Sequence, residues 1–269
     1  MLRQVWSKSA EAIVEVVTEP EAAVALLHAP EPDESVLLMR RAEREGDSWS
    51  GHWSFPGGRR EAGDPDLLQT ALRELEEECG IRLPRQTLVG ELPQRIAGRR
   101  VGAYVLVAPF VFRVDGELAT ILDPLEAAHA QWVPLSWLRD PARHHLRPVP
   151  GVPRDVLFPA VDLDGAPLWG FTYRVLVEWL GFTTAPGDAF QAAETVLAFL
   201  AAEGLEVRRT WQDQVAEVAG EIPVEAVLWR FAGTGPHVMS VSRFEVHADA
   251  IRIAGPSFEE YVIRAVPQS

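Results

Sequence analysis

The residues of this chain best suited to chemistry lie in FPGGRREAGDPDLLQTALRELEEECGI, residues 55–81. Glu74, Glu77 and Glu78 stand at i, i+3 and i+4, so on a helix their carboxylates share one face, while Glu76 points elsewhere. Like charges so placed repel by roughly 0.2–0.5 kcal/mol per exposed pair, and Arg73, four residues before Glu77, returns about as much. Taken alone, the run reads more readily as a solvated acidic face than as a site. Gly57 and Gly58, directly after an apolar Ser-Phe-Pro, tip the balance, because a backbone without side chains lets a carbonyl approach whatever the glutamates hold. Carboxylates with a carbonyl are the oxygen donors that hard divalent cations such as Mg²⁺ or Mn²⁺ take, and such ions bridge a diphosphate.

These residues need a helix to present them. Asp64 is expected as its N-cap, Pro65 at its first position and Gly80 just beyond its end. Leu68, Ala71, Leu72 and Leu75 then form one apolar stripe for the core. Before the helix, residues 11–28 and 35–41 read as strand-rich, and 42–54 as a loop. After it, residues 101–114 read as a buried strand or strand pair interrupted at Pro109, and AQWVPLSWL as a strand entering a helical turn at Leu135–Leu138. Residues 139–155 read as an irregular connection. A hairpin is expected to turn at Asp164-Gly165, followed by a helix from about Phe171 to Leu180. Mixed strands with helices at both ends suggest an α/β sheet covered on both faces.

GFTTAPGD reads as a linker. Beyond it, AFQAAETVLAFLAAEG reads as an amphipathic helix, and EAVLWRFAG, HVMSVSRFEVHAD and AIRIA as short strands. The expected domains are therefore residues 1–182 and a small α+β unit over 183–269, near the lower size for independent folding.

Several function classes are excluded by composition. The chain has 269 residues, 47% of them hydrophobic, and a net charge of −14; that charge argues against a nucleic-acid backbone as partner. No apolar run approaches the roughly 18 residues of a membrane span, and glutamates break the N-terminal AEAIVEVV where a signal peptide needs an unbroken core. The expected location is cytoplasmic. One cysteine, Cys79, leaves no internal disulfide and no Cys-based zinc cluster, and reads as a small apolar filler.

The stretch resembles the Nudix box. Arg73, Glu74, Leu75, Glu77, Glu78, Gly80 and Ile81 match its second half, and Gly58 opens its first. The first half departs: Asp64 stands where the general signature has Glu, and the spacing to Arg73 is one residue longer. That variant is similar to the coenzyme A diphosphatase-like branch, through Phe55, Pro56, Gly57, Gly58, Glu61, Asp64, Thr70, Ala71, Leu72, Arg73 and Glu74, with Glu61 for the branch's Asp. Leu37, Leu38, Arg41 and Gly51 fit more loosely, with Met39 for a Thr. The resemblance covers about residues 10–182.

It implies an α/β/α Nudix sandwich and metal-dependent hydrolysis of a diphosphate bond. Mg²⁺ or Mn²⁺ would be held by Glu74, Glu77, Glu78 and the Gly58 carbonyl, with Arg73 orienting a ligating glutamate. Glu61 is divided between a ligand and a turn cap. Gly57, Gly58 and Arg41 would meet the substrate, and the general base is unassigned because members of the family differ in it. A small-molecule nucleotide is the expected partner, coenzyme A or a relative first. ADP-ribose, dinucleotides or nucleoside triphosphates are the enzymatic alternatives, and a non-catalytic nucleotide sensor is the other. The oligomeric state, a homodimer included, stays open. His144, His145, Arg147 and Arg154 read as a solvated basic loop before a phosphate site, and Trp49, His52 and Trp53 as packing before base stacking.

Overall fold

The computed structural model describes residues 19–46, 49–98, 104–182, 188–233, 235, 238–256 and 259–268. The expected strand over 11–18 lies outside them. The chain divides into two compact units, Met1–Leu138 and Arg139–Ser269, each built on a mixed sheet.

In the first unit, β1 (Ala22–Ala29) is the central strand. Its sequence AAVALLHA is apolar almost throughout, as a strand covered on both faces must be. One edge of β1 runs parallel to β7 (Val105–Arg113) over seven residue pairs. The other edge is shared. Ala22–Val24 pair with β4 (Gly57–Arg59), and His28 and Ala29 pair with β2 (Ser35–Arg41). β2 in turn carries β3 (Trp53–Ser54) and β8 (Ala127–Pro134), both antiparallel. A single turn, α2 (Leu135–Leu138), follows β8 where the sequence placed it.

Pro109 does not interrupt β7, contrary to expectation. Its missing N–H falls opposite a break in the neighbouring edge: β5 (Leu88–Glu91) pairs with Phe110–Phe112 and β6 (Arg95–Ala97) with Val105–Val107, while only Leu92 N–H reaches the Pro109 carbonyl. A proline is tolerated in a strand where no ladder bond is asked of it.

Helix α1 (Leu67–Cys79) lays Ala71, Leu72, Leu75 and Cys79 on Ala23, Ala25, Leu27, Leu37, Met39, Phe110 and Phe112 of the sheet. Its cap differs from the expected one. Asp66, not Asp64, is the N-cap and accepts from the Gln69 N–H at 2.8 Å. Asp64 is turned inward and spent on other partners. At the other end Gly80 takes φ 69°, and a Cβ there would stand 2.9 Å from the Ile121 carbonyl oxygen, so both conformation and contact call for glycine.

The second unit begins earlier than the expected boundary at 182/183. The segment read as irregular contains β9 (His144–Arg147), which pairs with β10 (Val156–Leu163). β10 turns through Asp164-Gly165 into β11 (Ala166–Trp169), as the sequence indicated. β10 also pairs with β14 (Arg243–Val246), and Leu146 and Leu157 are buried in the core of the C-terminal residues. Helix α3 (Gly170–Trp179), expected over the first sheet, packs on β10 and β11. The remaining sheet adds β12 (Glu206–Gln212), β13 (Val215–Ala219), β15 (Ala250–Ala254) and β16 (Glu260–Val266). Its apolar face is covered by α4 (Asp188–Ala202) and α5 (Val224–Phe231). Of residues 225–233, expected as a strand, those up to Phe231 are helical, because Val224, Val227, Leu228 and Phe231 recur at helical spacing.

Candidate active site

Arg73 organises the site. Its Nε reaches both Asp64 carboxylate oxygens at 3.2 and 3.3 Å, and its Nη2 reaches Asp64 Oδ2 at 3.1 Å and the Arg59 carbonyl at 3.0 Å. Asp64 is buried, and also accepts from Thr70 Oγ1 and the Glu61 N–H, both at 3.0 Å. These bonds hold the Asp64 carboxyl below the usual carboxylate range, Arg73 contributing most and outweighing the burial that opposes it. The same guanidinium pairs with Glu74 at 3.0 Å and Glu77 at 2.7 Å. One fork thus fixes the loop 59–64 against α1 and sets two of the three box glutamates.

The glutamates are not equivalent. Glu78 is 2% exposed and accepts from the Gly57 N–H at 2.8 Å, with Arg41 Nη1 at 3.7 Å. Burial pushes its carboxyl up to about 8; Glu74 and Glu126 add to the effect, while the Gly57 N–H and Arg41 counter it. Glu74, with its side chain 15% exposed, is also pushed up by burial, against the pull of Arg73. Glu77 is 56% exposed on its side chain and turned to Arg73.

The glycines make room for this arrangement. A Cβ on Gly57 would strike the backbone of β1, 2.7 Å from Val24 Cα, and one on Gly58 would meet the Glu74 carboxylate carbon at 2.6 Å. β4 can therefore lie flush on β1, with the Gly57 N–H aimed at Glu78 and the Glu74 carboxylate against Gly58.

The expected residues come together unequally. Gly57, Gly58, Arg73, Glu74, Glu78 and Arg41 form one cluster, with Glu77 at its exposed edge. Glu61 is 69% exposed and only 4.0 Å from Arg73; its backbone closes a turn with Asp64. Among the described residues no group of three or more His, Cys, Asp or Glu side chains stands arranged to hold a metal ion. The donor chemistry still suits a hard cation: the side chains that would ligate it offer oxygens, and the half-buried Glu74 adds to the rise of the buried Glu78 carboxyl.

Sequence reasoning missed Glu126. It lies just before β8, its carbonyl accepts from Ala42 N–H, and its charge is felt by both Glu74 and Glu78. No motif marks it; only strand pairing brings it beside Arg41. Other candidates are taken up by packing. His144 is buried and bonded to Tyr173 Oη at 2.8 Å, and Arg147 pairs with Asp162. Trp53 is buried edge-on to His129. Cys79 is fully buried, and burial pushes its thiol up to about 12, so it behaves as the expected filler. No helix among the described residues is long and apolar enough to cross a membrane.

The NUDIX domain family matches residues 19–153, half of the chain. The chain belongs to the Nudix family. It is 36% identical over 115 residues to an uncharacterized Nudix hydrolase, NudL, of Photorhabdus laumondii, covering 43% of this chain and 59% of the relative. It is 38% identical over 58 residues to the mitochondrial coenzyme A diphosphatase NUDT8 of Mus musculus, covering 22% and 28%. An uncharacterized protein of Schizosaccharomyces pombe is 39% identical over 105 residues, 38% of this chain and 32% of that one. The chain thus spans less than two thirds of each of these relatives. Among solved structures, a MutT/nudix family protein from Enterococcus faecalis aligns with a TM-score of 0.40 at 15% identity, over 64% of this chain and 68% of that one.

Proposed function

We propose that the chain hydrolyses the diphosphate linkage of a nucleoside diphosphate joined to another group, with coenzyme A or a derivative as the leading substrate. The observation that carries this reading is the pairing of half-buried Glu74 with buried Glu78, set against Gly57 and Gly58 and beside an arginine locked to Asp64. Glu74, Glu77, Glu78 and the Gly58 carbonyl would hold Mg²⁺ or Mn²⁺, Glu77 by turning from Arg73. Such an ion, when bound, supplies charge neutralisation for the leaving phosphate and lowers the pKa of a water. The chain's own part is to bind and orient. Arg41, beside Glu78, would offer its fork to a phosphate, Arg73 keeps the carboxylates in register, and the β4 backbone lets the diphosphate approach closely.

The coenzyme A preference is supported by Phe55-Pro56-Gly57-Gly58 and Thr70–Glu74, and by the name of the mouse relative. A cytoplasmic, reducing compartment suits the lone buried thiol. The test is release of phosphate monoesters from coenzyme A, ADP-ribose, NADH, diadenosine polyphosphates and nucleoside triphosphates with Mg²⁺ or Mn²⁺, native chain against Glu77→Gln. Metal-dependent cleavage of coenzyme A, lost in the variant, is expected. Cleavage of another member of the panel moves the substrate and keeps the chemistry; ligand binding without any turnover overturns the hydrolase in favour of a sensor.

A further inference from the structure

Resting on that reading, we infer that Thr70 is a positioning residue: its buried hydroxyl fixes the Asp64 carboxylate to α1, and through it the Arg73 fork that sets Glu74 and Glu77. Thr70, Arg73, Glu74, Glu77 and Glu78 recur at i, i+3, i+4, i+7 and i+8, so Thr70 begins the helix face that carries the site. It is fully buried. In a helix interior a threonine hydroxyl commonly donates its proton to the carbonyl one turn back. Here that carbonyl, of Asp66, stands at 3.4 Å, whereas Asp64 Oδ2 stands at 3.0 Å. The proton is directed to the carboxylate.

Asp64 needs such a tie because it lies before the N-cap, outside the helix. Among the described residues its side chain accepts from Glu61 N–H, Thr70 Oγ1 and Arg73. Glu61 belongs to the same turn and moves with it. Arg73 is divided between Asp64, the Arg59 carbonyl, Glu74 and Glu77, at the end of a long side chain. The Thr70 hydroxyl, by contrast, is borne on a β-branched side chain that is stiff at χ1. It is the short, fixed link between the carboxylate and the helix backbone.

The link matters most when Glu77 turns from Arg73, as ligation requires. The guanidinium is then left to Asp64, the Arg59 carbonyl and Glu74, and its direction is only as fixed as the Asp64 carboxylate.

The experiment compares the native full chain with Thr70→Val, which keeps the branched shape without the hydroxyl, and Thr70→Ser, which keeps the hydroxyl. Asp66→Ala serves as a control that weakens the fold through the helix cap. The first readout needs neither metal nor turnover: the Arg73 Nε–H magnetic resonance signal, identified by its absence in Arg73→Lys. Its exchange with water is expected to be slow in the native chain, Thr70→Ser and Asp66→Ala, and at least tenfold faster in Thr70→Val. Mn²⁺ affinity, followed by electron paramagnetic resonance, is expected to fall several-fold in Thr70→Val alone. With coenzyme A at saturating Mn²⁺, kcat is expected to fall at least fivefold in Thr70→Val while KM stays within twofold. Native-like exchange or Mn²⁺ affinity in Thr70→Val overturns the inference, and so does a Thr70→Ser chain that fails to restore them. Equal changes in Asp66→Ala overturn it as well, because the hydroxyl would then contribute stability alone. A native chain that cleaves no diphosphate overturns the hydrolase reading, whereas the Arg73 signal decides the place of Thr70 by itself.

Discussion

At the scale of single residues, the site is a contest between burial and charge, and Arg73 and Glu78 stand at its two ends. Removing Arg73 leaves Asp64 buried without its main partner. Breaking a buried ion pair from one side costs about 3–5 kcal/mol, and Arg73→Ala is expected to cost that order in a urea titration, with Arg73→Lys recovering only part because an ammonium cannot span Asp64, Glu74 and Glu77. Glu78 behaves oppositely. Its folded pKa, about 8, lies above the ordinary carboxylate value. The metal-free folded state then binds the proton more tightly than the unfolded state does, so its stability falls as pH rises from about 4.5 to about 8. Glu78→Gln removes that slope. In the presence of a chelator, the variant is expected to match the native chain near pH 4.5 and to exceed it at pH 8.5 by on the order of 5 kcal/mol; equal stabilities at both pH values would refute the burial argument. The box glutamates were legible as a set because their spacing is a motif. Their inequality was not, since it depends on which of them the β4 backbone covers.

At the scale of elements, the cap of α1 shows what periodicity reads well and what it reads poorly. Ala71, Leu72 and Leu75 face the sheet, as the apolar stripe required. Asp64 and Asp66 offered the same local cap chemistry, and Asp64 had Pro65 behind it. Tertiary demand decided between them, because the carboxylate that meets both Arg73 and the Thr70 hydroxyl is that of the earlier aspartate. Asp66 then caps, paired with Arg85 at 2.7 Å. Asp66→Ala is expected to lower stability by about 0.5–2 kcal/mol, and Asp66→Asn by less, since an amide still accepts from Gln69 N–H. A matching rule governs β4. Gly57→Ala drives a Cβ into the backbone of β1, which cannot yield, and is expected to abolish cooperative folding or lower the melting temperature by many degrees. Gly58→Ala meets only a carboxylate at the end of a side chain. It is expected to fold with a nearer-native melting temperature and to lose Mn²⁺ affinity through a displaced Glu74. A Gly58→Ala protein with native affinity would show that the Glu74 carboxylate does not need its place.

At the scale of the whole molecule, the division between the units was the least legible feature. The family resemblance carried the first domain on to residue 182, just before residues 183–187 of the expected linker GFTTAPGD, which lie outside the described residues, yet β10 hydrogen-bonds to β14, and Leu146 and Leu157 share a core with Val196, Leu200, Phe231 and Phe244. No local signal announces a strand that pairs with a partner about ninety residues later, because register across such a distance is set by packing and not by spacing in the chain. The consequence is testable by hydrogen exchange. Leu157 is 1% exposed, and Leu157→Ala should cost about 2–5 kcal/mol through the lost burial and the cavity left behind. If residues 139–268 open as one cooperative unit, protection falls in β13, β15, β16 and α4, tens of residues from the substitution in sequence, while β1, β7 and α1 keep theirs. If residues 139–182 belonged instead with the first unit, the loss would appear in β1 and β7 and spare the C-terminal helices. The same logic sets how the chain can be cut: a fragment ending at residue 182 keeps β10 but takes away β14 and the apolar partners of Leu146 and Leu157, and is expected to be less soluble than one ending at 138.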